Sequence, residues 1–342
     1  MQSENSKRNY ARPIQIFAAL WCALVMTGVS AFPAKAELFF VYVADGRDDV
    51  SVIDTANHNA VVASIPVAGT AIGIAVTPDG KQVWVTNSDA DSVSVINTAN
   101  NIASGNIPVG RGPGSVAVTP DGRRAYVSNF ASNNVSVIDT RAQKVTATIA
   151  LGAQPTGASW VAISPDGKRV YAANTLSGDI SVINTDNNAI VATIPLGGEK
   201  DGESTPIVVS SDGKHAYAAQ NSSVSVIDTA SNAVVATVSG LSAAPFGAAI
   251  TPDGKRVYVS SRFSKVVSVV DTAANAVVAT ITGLHSPAGI AVTPDGKNVY
   301  VADQQNSIGL GTVSIIDTAT NNVAATVKVQ NNPFGVAVGP PR

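Results

Sequence analysis

The chain is predicted to be an all-β, seven-bladed β-propeller with four-stranded antiparallel blades, on three observations. One phrase recurs seven times at nearly constant spacing. Each repeat holds four short apolar runs divided by turn residues. The two ends of the chain carry complementary parts of one repeat.

The phrase runs Val50-Ser-Val-Ile-Asp54, Val93-Ser-Val-Ile-Asn97, Val135-Ser-Val-Ile-Asp139, Ile180-Ser-Val-Ile-Asn184, Val224-Ser-Val-Ile-Asp228, Val267-Ser-Val-Val-Asp271 and Val313-Ser-Ile-Ile-Asp317. The intervals between its last residues are 43, 42, 45, 44, 43 and 46, and Thr follows every copy. A period of this size marks a stacked or radial array of one supersecondary unit. Within a unit the apolar runs are β-branched and four to seven residues long, such as Gly73-Ile-Ala-Val76, Val83-Trp-Val85 and Val277-Val-Ala-Thr-Ile281. They suit strands and are too short for ordinary helices.

The first two strands of a unit are joined by Pro78-Asp-Gly80, Pro120-Asp-Gly122, Pro165-Asp-Gly167, Pro252-Asp-Gly254 and Pro294-Asp-Gly296, with Ser211-Asp-Gly213 as a variant. Pro sets φ at the first corner, Asp bonds the backbone ahead of it, and Gly accepts positive φ. These Asp residues are expected to shape turns, and the Asp or Asn ending each third strand to cap the next turn.

Glu37-Leu-Phe-Phe-Val-Tyr-Val43 reads as a second strand without its first, and Pro333-Phe-Gly-Val-Ala-Val338 as a first strand without its second. The C-terminal strand is therefore expected to complete the N-terminal blade, which would remove the open edges of the array.

Residues 1–36 read as a secretory signal peptide, and 37–342 as the propeller. Lys7, Arg8 and Arg12 precede the apolar stretch Ile14 to Val29, and Ala34-Lys35-Ala36 is an Ala-x-Ala cleavage site. A periplasmic or secreted location follows, with no membrane span after cleavage. Removal of the segment takes away Cys22, four bases and one acid, leaving 18 basic and 23 acidic residues, a net charge of about −5. That balance argues against a general polyanion binder. A chain without Cys suits an oxidising compartment without using disulfides.

The unit resembles the YVTN family of β-propeller repeats, named for its second strand. Trp84-Val-Thr-Asn87 is the nearest copy, with Tyr126-Val-Ser-Asn129, Tyr171-Ala-Ala-Asn174, Tyr258-Val-Ser-Ser261 and Tyr300-Val-Ala-Asp303 as variants. The resemblance covers 37–342 and implies kinship with secreted surface-layer proteins and periplasmic propellers, one of which is associated with single-stranded DNA. More distant propellers include lactonases, a lyase and subunits of quinone-cofactor dehydrogenases. The resemblance therefore implies an architecture and leaves the activity open.

Topology sorts the loops. The first-to-second and third-to-fourth turns share one face and vary little. The second-to-third loops and the links between blades share the opposite face and vary, as expected of a binding face. On that variable face Trp160 stands where other repeats have Gly73, Ser115, Gly247, Gly289 and Gly335. There it either packs into or plugs the axial channel, or forms an aromatic wall for a ligand. Arg47, Arg111, Arg262 and Lys265 share the face with Phe130, Phe246, Phe263 and Phe334. Cations beside aromatic rings are how single strands are gripped, although Asp48, Asp49, Asp89, Asp91 and Asp179 dilute the pattern here. The acidic link 197–206 carries Glu199 and Glu203, with spacing that suits a solvated loop better than a Ca²⁺ site.

Catalysis has less material. His58 and His215 map to the turn face and only His285 to the variable face, so the three should not converge on one metal. A lyase-type site would pair His285 with Glu199 or Glu203. The leading expectation is therefore a non-catalytic binding or scaffold propeller with no cofactor, whose partner is a protein, peptide or small ligand. A propeller hydrolase or lyase and a single-strand DNA binder are the alternatives. The export reading has a direct check: the protein recovered from an exporting host is expected to begin at Glu37 by N-terminal sequencing, and an intact Met1 terminus would refute it.

Overall fold

The computed structural model describes residues 38–152, 157–197, 204–304 and 310–340. The expected signal segment 1–36 lies outside them, as do Glu199 and Glu203. The described strands form seven four-stranded antiparallel sheets, so the expected propeller is the fold. In blade 1 the strands Phe40–Ala44, Asp49–Asp54 and Ala60–Pro66 are completed by Gly335–Val338 as the inner strand. The closing register pairs Val41 with Val338, Val43 with Val336 and Ala44 with Gly335. It is extended by hydrogen bonds from Phe334 N–H to the Ala44 carbonyl (2.7 Å) and from Gly339 N–H to the Phe40 carbonyl (2.8 Å). The inner strands of blades 2 to 7 are Ala71–Val76, Pro113–Val118, Ala158–Ile163, Ile207–Val209, Pro245–Ile250 and Pro287–Val292.

The core lies between blades. Strand residues point alternately to the two faces of a sheet, and each face meets a different neighbour. Tyr42, Ala44, Val50 and Val52 of blade 1 pack with Val83, Val85 and Ile96 of blade 2. Val41, Val43 and Ile53 pack with Tyr300, Ala302, Val313 and Ile315 of blade 7. This is why the recurring phrase is apolar on both faces, as in sheets covered on both sides. Each fully buried Val or Ile contributes about 1.5–3 kcal/mol relative to exposure. Trp84, in the repeat Tyr position, is wholly buried in such a seam.

The polar residues of the repeat hold the turns. Thr77 Oγ1 donates to Asp79 Oδ1 (2.7 Å), and Asp79 Oδ1 accepts from Lys81 N–H (3.1 Å). The Thr that follows each third strand donates to the carbonyl of the turn Gly, as Thr98 does to Gly80 (2.7 Å) and Thr318 to Gly296 (2.7 Å). Blade 1 has no such turn, and there Thr55 donates to the Phe39 carbonyl instead (3.0 Å). The Asp or Asn before that Thr caps the next turn, as Asp54 Oδ1 does for Ala56 N–H (2.9 Å) and Asp317 Oδ1 for Thr320 N–H (2.8 Å). Between blades, Tyr300 Oη donates to Asn59 Oδ1 (2.7 Å), which ties blade 7 to blade 1 at the turn face. In all seven blades the register between the third and outer strands shifts. Such bulges twist an edge strand away from foreign pairing.

One repeat position departs from its chemistry. Asn87, Asn129 and Asn174 end their second strands and donate to the third-strand Ser94, Ser136 and Ser181 at 2.8–2.9 Å. Blade 1 has Asp45 there, fully buried, accepting from Ser51 Oγ at 2.5 Å. Burial pushes its carboxyl up to about 8, with the nearby Asp49 adding to the rise and the Ser51 hydrogen bond opposing it. The unfolded chain loses this proton near the ordinary value of 3.8, whereas the fold keeps it until about pH 8. The contribution of this one group is therefore fully present below about pH 4 and is lost as pH rises toward 8. Asp45→Asn restores the group found in the other blades. It is expected to raise the melting temperature at pH 8 by roughly 3–6 °C and to leave it nearly unchanged at pH 4. Parallel melting curves of the two proteins across that range would refute the assignment.

Candidate functional site: an axial funnel with an aromatic rim

The inner strands run from the variable face toward the turn face and converge on the axis. Their closest approach is backbone to backbone. A Cβ at Gly335 would stand 2.3 Å from the Ile72 carbonyl of blade 2, so no side chain fits there. Hydroxyls bridge the next two seams. Thr86 Oγ1 accepts from Gly73 N–H (2.7 Å) and donates to the Gly114 carbonyl (3.2 Å). Ser128 Oγ accepts from Ser115 N–H (3.0 Å) and donates to the Ser159 carbonyl (3.1 Å).

Trp160 is the exception in this ring. Its neighbour in blade 5, across the seam from blade 4, is the short inner strand Ile207–Val209, preceded by Ser204. The indole packs beside the core of that seam and donates from Nε1 to Ser204 Oγ (2.6 Å). The half-buried indole thus packs on the seam and also lines the axial cavity.

On the axis lies a funnel of about 510 Å³, lined by all seven inner strands and reaching Ser88, Phe130 and Thr175 of the variable face. Its wall is mainly apolar, with Phe130, Trp160, Phe246 and Phe334 as the aromatic side chains. The polar groups in the wall are Ser and Thr hydroxyls, and no titratable side chain stands among the described lining residues.

Two rings dominate one side of the rim. Phe246 and Phe334 occupy the same register in the repeated tripeptides Pro245-Phe-Gly247 and Pro333-Phe-Gly335. Blade 7 lies between them and has Ala288 at that register, which leaves the phenyl groups room to meet at 6.0 Å between centroids. Gly46, at φ 63°, makes way for Phe334, because a Cβ there would fall 2.6 Å from the ring. The guanidinium of Arg262 lies 5.5 Å from the Phe246 centroid and 5.4 Å from that of Phe334. Its Nε donates to Ser286 Oγ (3.3 Å). Among the described residues it has no carboxylate partner. Desolvation by burial pulls the guanidinium below its ordinary value.

Asp303 organises the loop beside Arg262. It is 1% exposed, and its Oδ1 accepts from the N–H groups of His285 (2.8 Å) and Ser286 (2.7 Å). Its Oδ2 meets His285 Nδ1 at 3.1 Å. The imidazole is itself exposed and stands outside the funnel wall.

The sequence-predicted residues thus separate into groups. Trp160, Phe130 and Phe334 line the funnel, Arg262 sits on its rim, and His285 stands beside the rim. Arg111 lies on the exposed link, where its N–H donates to Ser132 Oγ (2.7 Å) and its carbonyl accepts from Ala131 N–H (3.1 Å). Phe263 is 75% exposed and does not line the cavity. His58 and His215 are on the turn face, away from His285, as expected. Asp303 escaped sequence reasoning, although it replaces the Asn of the second strand and so carried a signal. Ser204 and Ser286 carried none.

Comparison with known proteins places this geometry in context. A family model described as "Lactonase, 7-bladed beta-propeller" matches residues 71–226 and 207–338. A search of curated protein sequences finds no match. Among solved structures, the chain is similar to hydrazine synthase of Kuenenia stuttgartiensis, with 25% identity and a TM-score of 0.69, over 80% of this chain and 90% of that one. It is also similar to a functionally unknown protein from Desulfotomaculum acetoxidans, with 18% identity and a TM-score of 0.75, over 89% and 99% of the two chains. A third likeness is to the dihydro-heme d1 dehydrogenase NirN, with 18% identity and a TM-score of 0.62, over 87% and 74%. The last two likenesses concern the fold alone.

Proposed function

The chain belongs to the seven-bladed lactonase propeller family, and from that premise we propose that it is a binding propeller of the extracytoplasmic space, taking a small, mainly apolar molecule into its axial funnel. The observation that carries this reading is the funnel itself, about 510 Å³ and open on the variable face. That is the size and lining usual for a small-molecule site. Binding is favoured over turnover because the described wall offers hydroxyls and aromatic rings but no acid, base or thiol. Trp160 supplies a flat, low-entropy contact surface and, beside the enclosed Trp84, a reporter that faces the ligand. With the neutral probe N-phenyl-1-naphthylamine, saturable one-to-one binding with quenching of Trp160 emission is expected. Trp160→Phe should keep the affinity and remove most of the quenching, and Trp160→Ala should weaken binding about tenfold. Absence of saturable binding would defeat the reading.

A second reading, lactone hydrolysis, is favoured by one observation: the 3.1 Å contact of His285 Nδ1 with the buried Asp303. A carboxylate accepting from Nδ1–H leaves Nε2 free to take a proton from attacking water. On this reading a short-chain γ-lactone is opened by the wild type, and His285→Gln lowers the rate at least about 100-fold. No turnover by the wild type, or full activity in the variant, would remove it.

A further inference from the structure

We infer that the funnel selects a monoanionic amphiphile, an apolar body bearing a single carboxylate-like group that meets Arg262 at the rim. The inference rests on the binding reading above and adds the charge of the ligand and the residue that receives it.

Arg262 lacks an anionic partner among the described residues. A half-buried guanidinium ordinarily finds a carboxylate or several carbonyls, because an unpaired charge loses hydration without return. Here the described surroundings give it one hydroxyl, Ser286 Oγ, and two phenyl faces. The rings attract the cation through their quadrupoles but accept no conventional hydrogen bond. No described residue accepts from its two terminal nitrogens, which keep their donors for a ligand. A guanidinium fork matches the two oxygens of a carboxylate.

The charge is also held in place, which a flexible surface arginine would not be. Phe246 and Phe334 enclose it, and Gly46 and Ala288 are the small residues that let those rings stand together. Asp303 fixes the backbone of Ser286, which holds Nε. Asp303 also takes His285, so this carboxylate is spent on the loop and does not neutralise Arg262. Both rings that flank the cation also line the funnel. A molecule with its apolar body against Trp160 and Phe130 thus has its anionic end directed to the only described cation in contact with the rim aromatics. One uncompensated positive charge selects one negative charge on the ligand.

The test compares two probes with the same aromatic frame. N-phenyl-1-naphthylamine is neutral, and 1-anilinonaphthalene-8-sulfonate adds one sulfonate. The full-length mature propeller is expected to bind the sulfonate probe more tightly, although the neutral probe is the more hydrophobic. Arg262→Met should weaken the sulfonate probe about 10- to 100-fold, the range for hydrogen bonds to a charged group. It should change the neutral probe less than about twofold. Arg262→Lys should retain part of the preference, and Lys328→Met, an exposed cation on an outer strand, should change neither probe. Comparable affinity for both probes in the wild type overturns the inference and leaves funnel binding standing. Equal loss of both probes in Arg262→Met, together with a lowered melting temperature, also overturns it, since Arg262 would then only brace the two rings. Failure of the neutral probe to bind the wild type defeats the funnel reading itself.

Discussion

Everything in this molecule depends on the four-residue strand Gly335–Val338 pairing with Phe40–Ala44. Each blade buries apolar surface only against its neighbours, so a row of blades would leave two greasy faces and two unpaired inner edges. Closure covers both at once. The entropy of bringing together residues nearly three hundred positions apart is met once, and its cost grows only slowly with loop length. Phe334, the residue just ahead of this strand, stands at the rim beside Arg262 and Phe246 of blade 6. The closing strand thus adjoins the best-defined part of the site.

Sharing of cores between blades explains the uniformity of the repeat. A Val or Ile in the recurring phrase is in contact with two sheets, its own and the next. The small Ser of the phrase is buried in every blade, with a side-chain partner in some and none for Ser225 and Ser268. The Ser of each phrase has such partners in blades 2 to 4, through the Asn that ends the second strand. Where that Asn becomes Asp, the outcome depends on what lies nearby. Asp45 is enclosed next to Asp49 and is driven toward its neutral form. Asp303 meets two backbone N–H groups and an imidazole, which are suited to a carboxylate. The same substitution at the same register yields a strained acid in one blade and a loop organiser in another.

The funnel arises from asymmetry laid on this regular frame. Backbone contact at Gly335 and the hydroxyl bridges of Thr86 and Ser128 draw the inner strands together. The indole of Trp160, bonded to Ser204 ahead of the short inner strand of blade 5, replaces a small residue on one side of the ring. Ala288 opens it on another, for two phenyl rings. Departures from the repeat therefore lie where the frame permits a cavity, and the cavity is lined by those departures.

Much of this was legible in the sequence. Periodicity revealed the blades, the Pro-Asp-Gly turns revealed the strand order, and the unmatched ends revealed the closure. These features are local or repeated, so each is stated many times in the residues themselves. Trp160 also stood out as a departure from the repeat, and Phe130, Arg262 and Phe334 as aromatic and basic residues on the variable face. The sequence could not reveal which of them meet. Arg262 and Phe334 are 72 positions apart, and they meet across the inner strand of blade 7. Arg111 and Phe263 are of the same residue types on the same face, yet their loops hold them outside the cavity. Whether a charge is clamped, paired or solvated depends on distances across blades, which are properties of the closed ring and not of any one repeat.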